Sequence, residues 1–408
     1  MMVLSIAWKN VWRNKTRSMV VITAITLGLI GGIFSSAIMF GMSDGRVKDA
    51  IKHEVSHLQI HNPKYQDNQE IQYTINNLNT IIYSLDTMKA VKAYTTRIKI
   101  PAMIQSSNTG TGANIIGINP EEEKIVTNIS ELISDSTGSF FETKIRYPVV
   151  IGQKIAEKLK IHLRSKILIQ LQNTDGSITG GSFRVVGIFN SNNTMFEEQN
   201  LFVRKKDLAA IAGLSKSSAH EIAISLYNMQ DAQTVANTLQ LTFPDQEIKT
   251  WKKLQPDIAM LNDLMNNMMM LFMIIILLAL GFGIINTMLM VVVERIKEIG
   301  MLMAIGMNKT KIFFMIMLET IFLSATGGVI GMIISYGLVS FFNSYGIDLS
   351  IVGKGLESIG YASIIYPTLH LDFYFTLSIL IIITGIISSI YPARKALKYS
   401  PIDAIGTD

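Results

Sequence analysis

Three long stretches of this chain carry no charge at all. Twenty-five uncharged residues run from Ser18 to Met42, thirty from Leu264 to Val293 and twenty from Phe373 to Pro392. About twenty apolar residues are enough to cross the hydrocarbon core of a bilayer as a helix. A fourth stretch, from about Ile312 to Phe342, is interrupted only by Glu319. Four spans predict a membrane α-helical protein with both termini on one side. The balance of the 408 residues agrees, since 49% are hydrophobic and only 16% charged, against about 25% charged in soluble domains.

Lys and Arg near span ends stay in the cytoplasm. Lys9, Arg13, Lys15 and Arg17 precede the first span; Arg295, Lys297, Lys309 and Lys311 separate the second from the third; Arg394, Lys395 and Lys398 follow the fourth. The expected organisation is therefore a cytoplasmic interfacial helix (1–17), spans at 18–42, 264–293, 312–342 and 373–392, a cytoplasmic connection (294–311), a cytoplasmic tail (393–408), and extracytoplasmic segments at 43–263 and 343–372. The net charge of +5 reads as topology and contact with membrane lipids, with no nucleic-acid motif beside it. The first apolar run is too long for a signal-peptide core and reads as a retained anchor. The absence of Cys excludes disulfides and Cys-ligated metals.

Wound as a helix, Leu4 to Arg17 places Leu4, Trp8, Val11 and Trp12 on one face and Lys9, Arg13 and Arg17 opposite, the pattern of a helix lying in the membrane interface. In the first span Ala24, Gly28, Gly32 and Ser36 recur every fourth residue and invite close helix packing, within the subunit or between subunits. Glu319 lies about two turns inside the third span; a charge there is costly. It is expected to reach the cytoplasmic edge and pair with Lys311 or another basic residue of the connection, a substrate-binding role being the alternative.

Segment 43–263 predicts a large mixed α/β domain. HLQIH, KIPAMI, ILIQLQ, FRVVGIF and EIAISLY alternate like strands, QKIAEKLK and DAQTVANTLQ read as helices, and Asp175-Gly176 and Gly180-Gly181 as turns. His53, His57 and His61 have a helical metal-ligand spacing, but HLQIH is better read as a strand with His57, Gln59 and His61 on one face. No P-loop occurs, Gly353-Lys354-Gly355 lacking the upstream glycine and the hydroxyl residue, and no catalytic constellation stands out. The chain is therefore expected to bind no cofactor and to be no enzyme.

Between the second and third spans, Gly300 and Gly306 flank the short apolar segment Met301 to Ile305 where the chain turns back. Such exposed apolar residues want a partner surface, either a protein or the lipid interface.

The stretch NTMLMVVVERIKEIGMLMAIGMNKTKIFFMIMLETIFL resembles the FtsX-like permeases of ABC transporters, which include lipoprotein-releasing and macrolide-exporting subunits. Glu294, Arg295, Glu298, Ile299, Gly300, Ala304 and Gly306 occupy that family's ER..EIG...A.G motif. PVVIGQKIAEKLKI, FRVVGIF, LFVRKKDLAAIAGL and EIAISLYNMQDAQTVANTL look like its periplasmic core domain in the same order, TWKKLQPDI resembles the lipoprotein-releasing branch, and YPARKALKYSPIDAI closes the chain with Pro392, Arg394, Ala396 and Pro401 in matching places. The chain departs from many members at Met303, where they have Arg, and at Arg164-Ser165, where they have Gly-Asp.

The resemblance implies a coupling segment (Glu294, Arg295, Glu298, Gly300, Ala304, Gly306) that docks on a dimer of ABC ATPase subunits holding ATP and Mg. It also implies a second permease copy, identical or related, and mechanotransmission to the periplasm of the inner membrane. Extraction of lipoproteins for a periplasmic carrier is the favoured activity; antibiotic or peptide efflux, and activation of cell-wall hydrolases, are the alternatives. Lipoprotein acyl chains need an apolar cavity open to the outer leaflet, for which Ser36, Phe40, Met269 and Phe272 are the candidate wall, with Ala24, Gly28 and Gly32 as packing positions. Met suits such a wall because it adapts to irregular apolar shapes.

Overall fold

The computed structural model describes residues 2–107, 109–141, 144–191 and 193–398; Pro401 and the rest of the tail lie outside them. The chain divides into two compact units. One comprises residues up to Asp44, Asp263–Asp348 and the chain from Ile364 on; the other comprises Gly45–Asn262 and Leu349–Ser363.

Among the described residues four helices are long and apolar enough to cross a membrane, among them Pro256–Glu294, Lys309–Tyr345 and Leu371–Ala396. The first, Lys15–Asp49, continues into a π-helical turn at Ala50–Val55. Each helix outruns its charge-free stretch. In an apolar medium every backbone polar group must be satisfied within the segment, and an unbroken helix does this. The preceding amphipathic helix ends earlier than the charge pattern suggests: it covers Met2–Arg13, Asn14 breaks it, and the first span helix starts at Lys15. The hydroxyl of Ser18 donates across the break to the carbonyl of Val11.

Small residues set the helix contacts. A Cβ on Gly32 would lie 2.8 Å from the Ile276 side chain, and one on Gly327 3.1 Å from the Ile22 carbonyl oxygen, so the second and third span helices both press on the first. The predicted stripe is thus divided. Gly28 meets Leu280 and Gly32 meets Ile276 within the subunit, Ser36 is fully buried, and Ala24 is exposed.

The second unit is built on nine strands: β1 Leu58–His61, β2 Val91–Gln105, β3 Gly110–Ile118, β4 Pro148–Gly152, β5 Lys166–Gln172, β6 Ile178–Phe189, β7 Asn200–Arg204, β8 Glu221–Leu226 and β9 Glu247–Thr250. Helix Leu78–Thr87 joins β1 to β2 and helix Ala232–Thr242 joins β8 to β9. The antiparallel order β9-β1-β8-β2 is that of a ferredoxin-like β-α-β-β-α-β unit. Between β2 and β8 the chain makes a second structure. β2 pairs with β3, β3 with β7, β7 with β4, β4 with β6, β6 with β5 and β5 again with β2, which closes a six-stranded barrel. Strand β5 shows why the predicted alternation works, since Ile167, Ile169 and Leu171 are buried and the residues between them exposed.

The long strand β2 belongs to both parts. Val91–Arg97 pairs with β8, and Ile98–Gln105 with β3. Arg97 stands at the changeover, buried, with Nη1 2.6 Å from Glu221 and Nη2 2.6 Å from Glu123 of helix Pro120–Val126. Burial pushes the Glu221 carboxyl up, but the Arg97 guanidinium outweighs it and holds the group below its ordinary value. The HLQIH segment is a strand as expected. Gln59 and His61 share a face, joined by a 2.9 Å hydrogen bond, while His53 lies apart in the π-helical turn.

Candidate functional site

The second span helix ends at Glu294. Arg295 leaves helical geometry (φ −102°, ψ 18°), and a short helix, Ile296–Ala304, follows. Gly306 then takes φ +97°, in the region that L side chains avoid, which accounts for a glycine at the turn. Asn308 caps the third span helix, its side chain accepting from Thr310 N–H. The short helix buries Ile299 and Gly300 and leaves Met301 (51%) and Ile305 (85%) exposed, with Lys297 and Ala304 beside them. Its inner side is anchored, and its outer side is an apolar strip that stays exposed among the described residues.

Ion pairs supply the anchor. Glu298 accepts from Arg13 Nη2 at 2.6 Å and from Arg295 Nε at 3.0 Å. Arg295 also donates through Nη1 to both oxygens of Glu319, at 3.0 and 3.1 Å, and Arg17 pairs with Glu294. Burial raises the Glu298 carboxyl, but the hydrogen bonds from Arg13 and Arg295 more than offset it, so the group sits below its ordinary value. Arg13, Arg17, Glu294, Arg295 and Glu319 border a cavity of about 290 Å³ lined also by Asn10, Asn14 and Thr287. The amphipathic helix is held on the third span helix, Trp8 meeting Phe322 edge to face with centroids 5.4 Å apart.

Of the predicted coupling residues, Arg295 and Glu298 meet directly, Glu294 joins the same cluster through Arg17, and Gly300, Ala304 and Gly306 shape the short helix and its exit. Glu319 pairs with a basic residue of the connection, as expected, and that residue is Arg295. Sequence reading missed Arg13 and Arg17 as partners. The available signal was their four-residue spacing, matched by that of Glu294 and Glu298.

The predicted substrate wall is not gathered on one open surface. Ser36 is fully buried, Phe40 packs against Phe373 with centroids 5.2 Å apart, Met269 is half-buried, and Phe272 is 40% exposed.

Comparison with known proteins places this geometry in a family. Residues 21–241 match the MacB-like periplasmic core domain and residues 270–401 the FtsX-like permease C-terminal domain. The chain is 23% identical to the lipoprotein-releasing system transmembrane protein LolC of Buchnera aphidicola, over 97% of this chain and 95% of that protein. It is 22% identical to an uncharacterized ABC transporter permease of Methanocaldococcus jannaschii, over 99% and 97%. It is 29% identical to the macrolide export ATP-binding/permease protein MacB of Burkholderia lata, but over only 40% of this chain and 20% of that protein. Two family domains that together run from the first span helix to the end of the fourth, with the short anchored helix inside the second of them, make this chain a multi-pass inner-membrane ABC transporter permease of the FtsX-like family with a MacB-like periplasmic core domain.

Proposed function

We propose that this permease is the membrane half of an ATP-driven machine that lifts lipoproteins from the inner membrane and delivers them to a periplasmic carrier. In this reading ATP and Mg are held by a separate ABC ATPase dimer, which docks on helix Ile296–Ala304, and two permease chains work together. The observation that carries the ATPase contact is the exposed strip formed by Met301 and Ile305 on a helix whose opposite side is fixed by Arg13, Arg295 and Glu319. A fixed helix with an uncovered apolar face suits a lever pushed by a partner. Support for lipoprotein as cargo comes from the end-to-end match to a LolC protein. Macrolide export is the second reading, supported by the MacB-like core and the partial match to MacB.

Affinity purification of the full chain in nanodiscs, with mass spectrometry of its partners, tests the first step. An ABC ATPase should accompany the wild type and be lost from Ile305→Asp; retention by the variant refutes the docking site. Photo-crosslinkers at Met269 and Phe272, the two positions of the predicted wall that are not buried, test the cargo. Lipoprotein captured without nucleotide and lost with ATP supports release. Capture of phospholipid alone, with lipoprotein sorting intact after depletion, favours export.

A further inference from the structure

Glu319 is an acidic side chain held inside the third span helix and only 5% exposed. Both its oxygens are used by one guanidinium nitrogen, Nη1 of Arg295. Arg295 is not itself in a span. It is the single non-helical residue between the second span helix and helix Ile296–Ala304, the place where the short helix would pivot. From that pivot its Nε reaches forward to Glu298 on the short helix, and Glu298 in turn takes Arg13 of the amphipathic helix. Charges of alternating sign, Glu319, Arg295, Glu298 and Arg13, therefore cross from the third span to the short helix and on to the amphipathic helix.

We infer that Glu319 is a positioning residue for coupling, which locks the pivot at Arg295 so that helix Ile296–Ala304 moves with the third span helix as one body. The physical reason is the asymmetry of a buried pair. Swinging the short helix about Arg295 withdraws the guanidinium and leaves a carboxylate that is only 5% exposed without its cation, since Arg13 and Arg17 are already committed to Glu298 and Glu294. A planar fork is needed at position 295 because two carboxylates on different helices must be held at once, and Lys offers a point charge on a flexible stem. The inference rests on the docking role proposed above for the short helix.

The chain lacks cysteine, so nitroxide labels at Lys297 and Phe314, both exposed, report the angle between the short helix and the third span. Measured by double electron–electron resonance on the full chain in nanodiscs, the wild-type distance distribution should be narrow. Glu319→Gln and Arg295→Lys should each broaden it at least twofold, and Glu319→Asp should restore most of the wild-type width. In the complex with its ATPase, Glu319→Gln should lower ATP turnover at least threefold with the KM for ATP unchanged, which a merely unfolded fraction does not explain once the distance data show folded protein. Unchanged widths in both Glu319→Gln and Arg295→Lys overturn the inference. If Ile305→Asp keeps the ATPase bound, the docking proposal fails, while the width measurement still judges the lock by itself.

Discussion

Removing Arg97 is the most severe single test of the sheet-bearing unit. Its guanidinium lies between Glu123 and Glu221, and all three side chains are at most 5% exposed. Arg97→Met keeps the apolar stem and deletes the charge, leaving two carboxylates facing each other without solvent. Breaking a buried ion pair in this one-sided way costs about 3–5 kcal/mol. For a domain of roughly 200 residues each kcal/mol moves the midpoint by about 2–4 °C, so about 4 kcal/mol corresponds to a fall of about 8–16 °C. Trp251, buried among Val47, Ile51 and Ile258, gives an intrinsic fluorescence signal for melting of this unit in the detergent-solubilised chain. The loss should be largest at pH 7.5 and shrink towards pH 5, because a carboxyl that takes up a proton no longer carries a buried charge. Glu123→Gln and Glu221→Gln added to Arg97→Met should recover at least half of it. A fall of less than about 2 °C, or one that does not vary with pH, refutes the reasoning.

Cysteines introduced at the exposed positions Ser177 and Ser350 should react with an impermeant thiol reagent from outside spheroplasts and one at Asn308 should not; labelling at 308 overturns the topology. Burial pushes the carboxyl of Glu197, 2% exposed, up to about 6. A raised carboxylate pKa means that the charged form burdens the fold above that pH, so Glu197→Gln should stabilise by about 1–2 kcal/mol at pH 7.5. The gain should disappear below about pH 4.5 in the same fluorescence melt, and a loss at pH 7.5 contradicts it. A Cβ on Gly41 would lie 2.3 Å from the Tyr366 carbonyl oxygen, which is backbone, whereas one on Gly31 meets nothing within 4 Å. Gly41→Ala should therefore cost about 1–3 kcal/mol and Gly31→Ala almost nothing, read as the temperature at which the size-exclusion peak of heated protein is lost.

The spans were legible because a bilayer demands long charge-free runs, and no other structure explains twenty-five or thirty of them in succession. The strand character of HLQIH and ILIQLQ was legible for a similar reason, since one face of each strand is buried by neighbours. What the sequence did not disclose is non-local. Closure of the barrel depends on β2 meeting both β3 and β5, and the parallel pairs β3–β7 and β4–β6 join segments far apart in the chain. At the coupling site the motif named Glu294, Arg295 and Glu298, but not Arg13 and Arg17, whose pairing is decided by how the amphipathic helix lies. In the first span the four-residue stripe foresaw close packing for Gly28 and Gly32. Ala24 of the same stripe is exposed in the single chain.

The barrel's position between β2 and β8 governs the order in which the extracytoplasmic unit is completed. β1 leaves the membrane early, yet both of its partners come late: Leu58 is registered with Ile224 of β8 and Thr250 of β9. Every barrel strand from β3 to β7 has emerged before either arrives. During synthesis the barrel is therefore able to close on the second half of β2 before β8 is made, while β1 and the first half of β2 still have open edges. Such edges are templates for pairing with other chains. The newly made permease is thus expected to be most prone to misassembly while β8 is still being translocated, and helix Leu78–Thr87, whose Ile81 and Leu85 share an apolar cluster with Leu58 and Ile60 of β1, is already made and able to shield that face until the sheet is sealed.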